Sequence, residues 1–260
     1  MRIQYMTGLD DEQFDELLGR VEELIESGKG GQPDRGGRPW KLPLRERLEM
    51  VLAMLRHNIT QQLAAQIWGV SQPRVSKTKK HLEPRLFQAL LFTGIALEEA
   101  ARTRPLLVDG TFVPTGNRKK TKKANYSGKH HEQCLNIQVA SELDAGLIAA
   151  SDPVPGARHD SAALEITGWD QILKDANWAG DTAYIKHTAL TPDKRKPGVA
   201  LTDSQKEYNK QISAIRCAVE RCIGHLKNWK ILATGYRRQL KYLPDVIALV
   251  AKLELYRIGW

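Results

Sequence analysis

Three carboxylates stand in settings where an acid would have chemistry to do. Asp109 lies within the apolar run LLVDGTFV at 106–113, Asp181 within WAGDTAY at 178–184, and Glu220 within a helical stretch from Thr202 to Leu232. A carboxylate in a buried strand is costly, so such a group needs a metal, an ion pair or a raised pKa. On the helical stretch, a rotation of 100° per residue puts Arg216, Glu220 and Lys227 within roughly 40° of one another, so the glutamate sits between two bases. Two strand acids and one helix acid make sense as a two-metal phosphodiester site. Oxygen ligands would hold two Mg²⁺ ions, or Mn²⁺ as the alternative, one activating a water or 3′-hydroxyl and the other stabilising the leaving oxygen. Taken singly, each acid is more often a surface, capping or ion-paired group. The order strand, strand, helix is what favours a shared site.

The elements that must position these groups follow from periodicity. Strands are expected at 106–113 and in CLNIQVASELD and GLIAASDPV, the latter two joined by a tight turn at Asp144, Ala145 and Gly146. RHDSAALEI opens a helix with His159, Asp160 and Ser161 at its start, where Asp160 could serve as an N-cap or support the acidic site. A short helix at 170–175, the strand at 178–184 and the helix at 202–232 follow, and a last helix with Val246, Ile247, Leu249, Val250 and Leu253 reads as core packing. This alternation predicts an α/β domain over 104–260.

A different texture precedes it. Residues 1–28 read as an acidic amphipathic helix behind an Asp10 to Gln13 capping pattern, and 29–40 as a flexible linker rich in glycine and proline. Over 41–84, a helix with Pro43 in its first turn carries Leu44, Leu48, Val51, Leu52 and Leu55 on one stripe. Two short helices then meet across Gly69, with Thr60 and Ser71 at their starts and small or apolar Ala65, Val70 and Val75 at the corner. A helix-turn-helix requires such a corner, because its helices cross closely there. Gln72, Arg74, Ser76, Lys77, Lys79 and Lys80 are the expected exposed positions of the second helix, able to reach base edges and phosphates. A helical hairpin with a solvated basic face is the alternative. A further apolar helix is expected over about 84–101, connecting the two parts across 85–103.

Composition agrees with a polyanionic partner. The 260 residues carry 39 Lys and Arg against 30 Asp and Glu, a net charge of +9. Residues 1–28 hold eight acids and two bases, so the positive charge belongs to the remainder. Arg118, Lys119, Lys120, Lys122, Lys123 and Lys129 cluster after the first strand, either to grip a DNA backbone or as a solvated loop. Three cysteines without a CxxC pair indicate neither a disulfide framework nor a zinc knuckle, and His130, His131 and Cys134 are too few for a structural zinc. No stretch approaches the roughly 18 apolar residues of a membrane span. The expected setting is the cytoplasm, at the nucleoid.

The segments VDGT at 108–111, YSGKHH at 126–131, PGARHDSAAL at 155–164, GDTAY at 180–184, LTDSQKEYN at 201–209 and VERCIGHLKNWKIL at 219–232 together resemble the DDE transposases of bacterial insertion sequences. The similarity is to the Harbinger-like branch that joins an N-terminal helix-turn-helix to a DDE superfamily endonuclease domain, and it covers about 38–256. It implies an RNase H-like α/β catalytic domain with a mixed sheet, preceded by an all-helical DNA-binding domain. Asp109, Asp181 and Glu220 would be the metal-binding triad, Arg216 and Lys227 further catalytic residues, and His159 and Asp160 secondary ones. The intervals of 71 and 38 residues between the acids leave no room for a large insertion domain. Ser213 departs from the tyrosine of the family's helix signature, and Thr182 and Ala183 from the glycine and base common after the second acid. The implied activity is binding of terminal inverted repeats, metal-dependent cleavage and strand transfer to target DNA by a homo-oligomer. The rivals are a host endonuclease of the same fold and a DNA-binding regulator descended from a transposase, the latter disfavoured by the intact triad.

Overall fold

A computed structural model describes residues 3–28 and 39–260, with the backbone alone at Lys122. Most of the linker expected at 29–40 lies outside the described residues. The chain forms two compact units, which do not follow chain order. One comprises Met1–Thr93, Lys227–Thr234 and Ala248–Trp260, the other Gly94–Leu226 and Gly235–Ile247.

The first unit begins with α1 (Ile3–Thr7) and α2 (Asp11–Glu26). Asp10 and Gln13 close a capping box at the start of α2, satisfying two amides that the helix leaves unpaired, and Phe14, Leu17 and Val21 form its buried face. In α3 (Leu44–His57), Leu48 and every residue from Met50 to Leu55 are buried, and Asn58 ends the helix in the left-handed region. Pro43, expected in the first turn, stands just outside it as the N-cap, with extended ψ of 161°. The hydroxyl of Thr60 accepts from Leu63 N at 3.1 Å and starts α4 (Gln61–Ile67). At the far end, Val70 N donates to Ala65 O at 3.0 Å and Gly69 N to Gln66 O at 3.4 Å, a Schellman motif that needs Gly69 at φ +60°. The chain thereby turns sharply into α5 (Gln72–Ala89). Met50, Met54, Ala64, Ala65 and Val75 form the buried corner.

Two expectations change along α5. The helix runs through Pro84 to Ala89, and the next, α6 (Leu97–Thr103), follows a turn with Gly94 at φ +82°, so 85–103 is not one connecting helix. An interior proline removes one helical N–H and normally breaks a helix. Here Val75, Leu82 and Leu86 keep one buried stripe running past it. Lys79 falls on that stripe: it is buried and paired with Glu83 at 3.2 Å, so it leaves the exposed basic face.

The second unit adds β1 (Leu106–Pro114), α7 (Lys122–Asn125), β2 (Tyr126–Ser127), β3 (Glu132–Ser141), β4 (Leu147–Ala150), β5 (Val154–Pro155), α8 (Asp160–Ile166), α9 (Trp169–Ile172) and β6 (Trp178–Ala179). Two long helices follow, α10 (Asp203–Lys227) and α11 (Leu243–Arg257). The sheet order is β2-β3-β1-β6, with β4 and β5 also on β3. β1 is antiparallel to β3 and parallel to β6, so the sheet is mixed. This is the expected α/β class after a helical part. The strand expected at 178–184 stops at Ala179, because Asp181 turns the chain into a 3₁₀ turn at Thr182–Tyr184. The helix expected to reach 232 stops at Lys227. Among the described residues, no helix is long and apolar enough to cross a membrane.

The C-terminal half of α11 belongs to the helical unit, where Glu254 is 2% exposed. Trp229 Nε1 donates to Glu254 Oε2 at 2.9 Å, and Arg257 donates to both carboxylate oxygens at 2.8 and 2.6 Å. Breaking a buried pair from one side is far costlier than never having built it. Glu254→Ala should therefore lower the unfolding free energy by about 3–5 kcal/mol, read from urea denaturation. A loss below about 1 kcal/mol would mean that the pair behaves as an exposed one.

Candidate active site

Asp109 occupies the middle of β1, with its side chain 18% exposed. In the parallel pairing Leu106 faces Trp178 and Leu107 faces Ala179, so two residues further on the chain brings Asp109 and Asp181 to corresponding places. Leu107, Ala179, Ala218 and Val219 pack together and seat α10 against this side of the sheet. From that helix Arg216 Nη2 donates to Asp109 Oδ2 at 3.2 Å, while Oδ1 accepts from the amide of Gly110 at 2.8 Å. Burial raises the Asp109 pKa from 3.8 to about 6; Arg216 opposes the rise, and Asp181 and Asp160 add to it. Two further carboxylates thus act on Asp109 beside the Arg216 guanidinium.

Each neighbour is locally held. Asp181 Oδ1 accepts from Ala183 N at 2.8 Å, capping the 3₁₀ turn. Gly180 lets the Tyr184 ring fold back, since a Cβ there would stand 2.7 Å from the ring. A Cβ at Gly110 would lie 2.1 Å from Asp160 Oδ1, so that carboxylate rests directly on the β1 backbone. Its hydrogen bonds form a directed series. Tyr184 Oη donates to Gln138 Oε1 at 2.5 Å, Gln138 Nε2 to Asn136 Oδ1 at 3.3 Å, and Asn136 Nδ2 to Asp160 Oδ1 at 2.8 Å. Burial and the three carboxylates push the Tyr184 pKa well above its usual value, which keeps the hydroxyl a donor. Asn136, Gln138 and Tyr184 escaped the reading of the sequence. Two polar residues at i and i+2 within the apolar strand LNIQV were the available signal.

Glu220 lies on α10 one turn beyond Arg216 and is exposed. The charges that act on Asp109 are those of Arg216, Asp181 and Asp160. Lys227 ends α10, about 16 Å along its axis from Arg216. Asp160 is the first residue of α8 rather than its cap, which is His159, and the exposed His159 makes no capping bond. Lys119, Lys120 and Lys123 are exposed, whereas Arg118 donates to the carbonyls of Thr115, Tyr236 and Arg238 and so holds loops together. His130 stacks on Phe112 with ring centroids 3.8 Å apart. A cavity of about 220 Å³ opens beside Gly110 and Asp160, with Lys129, His130, Arg158 and His159 around it.

Among the described residues no three His, Cys, Asp or Glu side chains converge as ligands of one ion. The donors present are hard carboxylate oxygens, and the mutual repulsion around Asp109 is what a cation would relieve. They fit Mg²⁺, which binds through one or two carboxylates and keeps several waters, rather than an ion needing a closed protein cage.

In the helical unit, Gln72, Lys77 and Lys80 are exposed on α5, and Arg74 and Ser76 partly so. The ammonium of Lys77 and the guanidinium of Arg47 lie over the Trp40 ring, 5.0 and 4.5 Å from its centroid. Gln72 donates to Gln61 of α4.

Residues 108–254 match the family model described as DDE superfamily endonuclease, and residues 40–92 match the helix-turn-helix of DDE superfamily endonuclease. The chain is 31% identical over 231 residues to a protein of Streptomyces albus G named as a transposase for insertion sequence element IS112, covering 87% of this chain and 83% of that one. It is 26% identical over 266 residues to a protein of Microchaete diplosiphon named as a transposase for insertion sequence element IS702, covering 98% and 94%. No solved structure matches.

The raised pKa of Asp109 has a measurable sign. Between pH 4 and 6 the folded protein keeps a proton that the unfolded chain has released, so this carboxylate erodes stability as pH rises through that window. Asp109→Asn removes the ionisation. In chelator, the variant should gain stability relative to wild type on going from pH 4 to pH 7.5, by up to about 3 kcal/mol. Urea denaturation at both pH values measures the gain; a difference that does not change with pH would refute the burial of this carboxylate.

Proposed function

The chain belongs to the DDE superfamily endonucleases, and on that premise we propose that it is a DNA transposase that binds the ends of its element, cuts there and joins the freed 3′-ends to target DNA. The observation that carries this reading is the placing of Asp109 on β1 level with Asp181 just past the end of the parallel β6, where the two carboxylates act on each other and Arg216 from α10 bonds to Asp109. Asp109, Asp181 and Glu220 would hold divalent metal, two Mg²⁺ ions or Mn²⁺ in their place, which when bound supplies an activated water or 3′-hydroxyl and a stabilised leaving oxygen.

The chain's own residues do the rest. Arg216 neutralises Asp109 in the resting site and is placed to release it toward a phosphate, while the exposed Glu220 one turn along the same helix would turn in to a bound metal. Lys227 follows that face further and would hold the DNA backbone. Asn136, backed by Gln138 and Tyr184, fixes Asp160 against the Gly110 backbone, and His159 stands beside it at the mouth of the cavity. On α5, Gln72, Arg74, Ser76, Lys77 and Lys80 would read the terminal inverted repeats, with Trp40 restricting the Lys77 ammonium. Lys119, Lys120, Lys122 and Lys123 would grip the backbone near the cut. In this reading residues 41–84 bind DNA and 104–260 do the chemistry. Joining two ends requires more than one copy, so the working form is a homo-oligomer acting on the nucleoid in the cytoplasm.

Two experiments separate binding from chemistry. Asp109→Asn, Asp181→Asn and Glu220→Gln should each suppress Mg²⁺-dependent nicking of an end-containing duplex by orders of magnitude and leave its binding intact. Near-normal cleavage by any one variant removes that residue from the site, and activity in excess chelator removes the metal. Conversely, Arg74→Ala and Lys77→Ala should weaken end binding by about 1–3 kcal/mol where a base contact is lost, and flatten its salt dependence where a phosphate contact is lost. If affinity and salt slope stay the same in both, α5 is not the reading helix.

A further inference from the structure

A concave site of about 480 Å³ lies within the helical unit, lined by Gln4, Tyr5, Gly8, Arg56, His57, Asn228, Lys230 and Arg257. Its lining contains no acid. Arg56 dominates it: the guanidinium lies over the Trp229 ring, 5.3 Å from the centroid, and makes no hydrogen bond or ion pair with any described residue. Burial lowers its pKa, and the neighbouring Arg257 lowers it further, while Glu254 opposes both. Glu254, however, already accepts from the Trp229 indole and from Arg257. Gly8 at φ +83° leaves just enough space, since a Cβ there would crowd the Arg56 side chain at 3.2 Å. The Nε2 of His57 bonds to the Tyr5 carbonyl at 2.8 Å, and Lys230 and Asn228 are exposed at the rim.

A half-buried guanidinium that faces another cation without an anion of its own costs stability. An anion in the site would supply the missing charge, and the donors there suit a tetrahedral oxyanion. We propose that this site binds a backbone phosphate of duplex DNA. Arg56 and His57 close α3, and α3 lies within the helix-turn-helix segment at 40–92, so the contact would flank the duplex held by α5. The inference rests on the reading of the chain as a DNA-binding protein and adds a second point of attachment on a different element.

The test uses the full chain and the double variant Arg56→Gln, Lys230→Gln. Binding to a 30-base-pair duplex of mixed sequence is followed by fluorescence anisotropy across a salt series, with Arg74→Ala alongside. The double variant should lose about tenfold in affinity, and its plot of log affinity against log salt should be shallower by roughly 0.9 for each phosphate lost. Its melting temperature without DNA should stay within about 4 °C of wild type, as Arg56 has no bonded partner to leave behind. A purely structural Arg56 would instead melt lower and keep its salt slope. In a parallel arm, inorganic phosphate at constant ionic strength replaces the duplex, read as a melting shift. Unchanged duplex affinity and slope overturn the proposal, and a phosphate shift seen with them would assign the site to the free anion instead. Should wild type fail to bind the duplex at all, the DNA-binding reading falls first. Loss in Arg74→Ala with none in the double variant defeats this proposal alone.

Discussion

An ionisable carboxylate at the centre of a sheet, with two more close by, is the constraint around which the α/β unit is arranged. Asp109 cannot be left uncompensated, because charge repulsion and desolvation both act on it. One guanidinium, one backbone amide and close packing of α10 on Leu107 and Ala179 are what the fold provides. Sheet topology follows from the same need. A parallel β6 beside β1 brings the second acid level with the first, and an antiparallel pairing would have sent it the other way along the sheet.

The partial compensation is informative. Arg216 moderates the Asp109 pKa without returning it to its ordinary value, so the site stays short of positive charge. Arg56 presents the inverse case in the helical unit, a guanidinium whose burial Glu254 offsets only in part. Two other buried charges are matched, Lys79 with Glu83 and Glu254 with Arg257. Where Asp109 and Arg56 are only partly compensated, a ligand of opposite sign would restore stability that burial costs.

Helix α5 shows how local and distant contacts combine. Its entry is set within a few residues by the Schellman turn through Gly69, whose hydrogen bonds involve only Ala65, Gln66, Gly69 and Val70. The rotamer freedom of Lys77 is limited instead by Trp40, a residue from well before the first helix of the motif. Placing a cation on an aromatic face reduces the side-chain entropy left to lose in any further contact.

Much was fixed by local sequence. The capping box of Asp10 and Gln13, the corner at Gly69, the turn at Ala145 and the strand carrying Asp109 all arise from interactions within a few residues, so spacing and residue type suffice to reveal them. The motifs that mark the family are likewise contiguous. Tertiary packing decided the rest. Pro84 sits inside a helix because Leu82 and Leu86 are buried on either side of it, and Lys79 is covered because it shares the stripe of Val75 and Leu86. Asp181 leaves its strand early to cap a turn whose Tyr184 reaches Gln138, and Asn136 then holds Asp160 against Gly110. These partners lie tens of residues apart along the chain, and their pairing depends on strand register and burial, which residue types and spacing along the sequence do not specify.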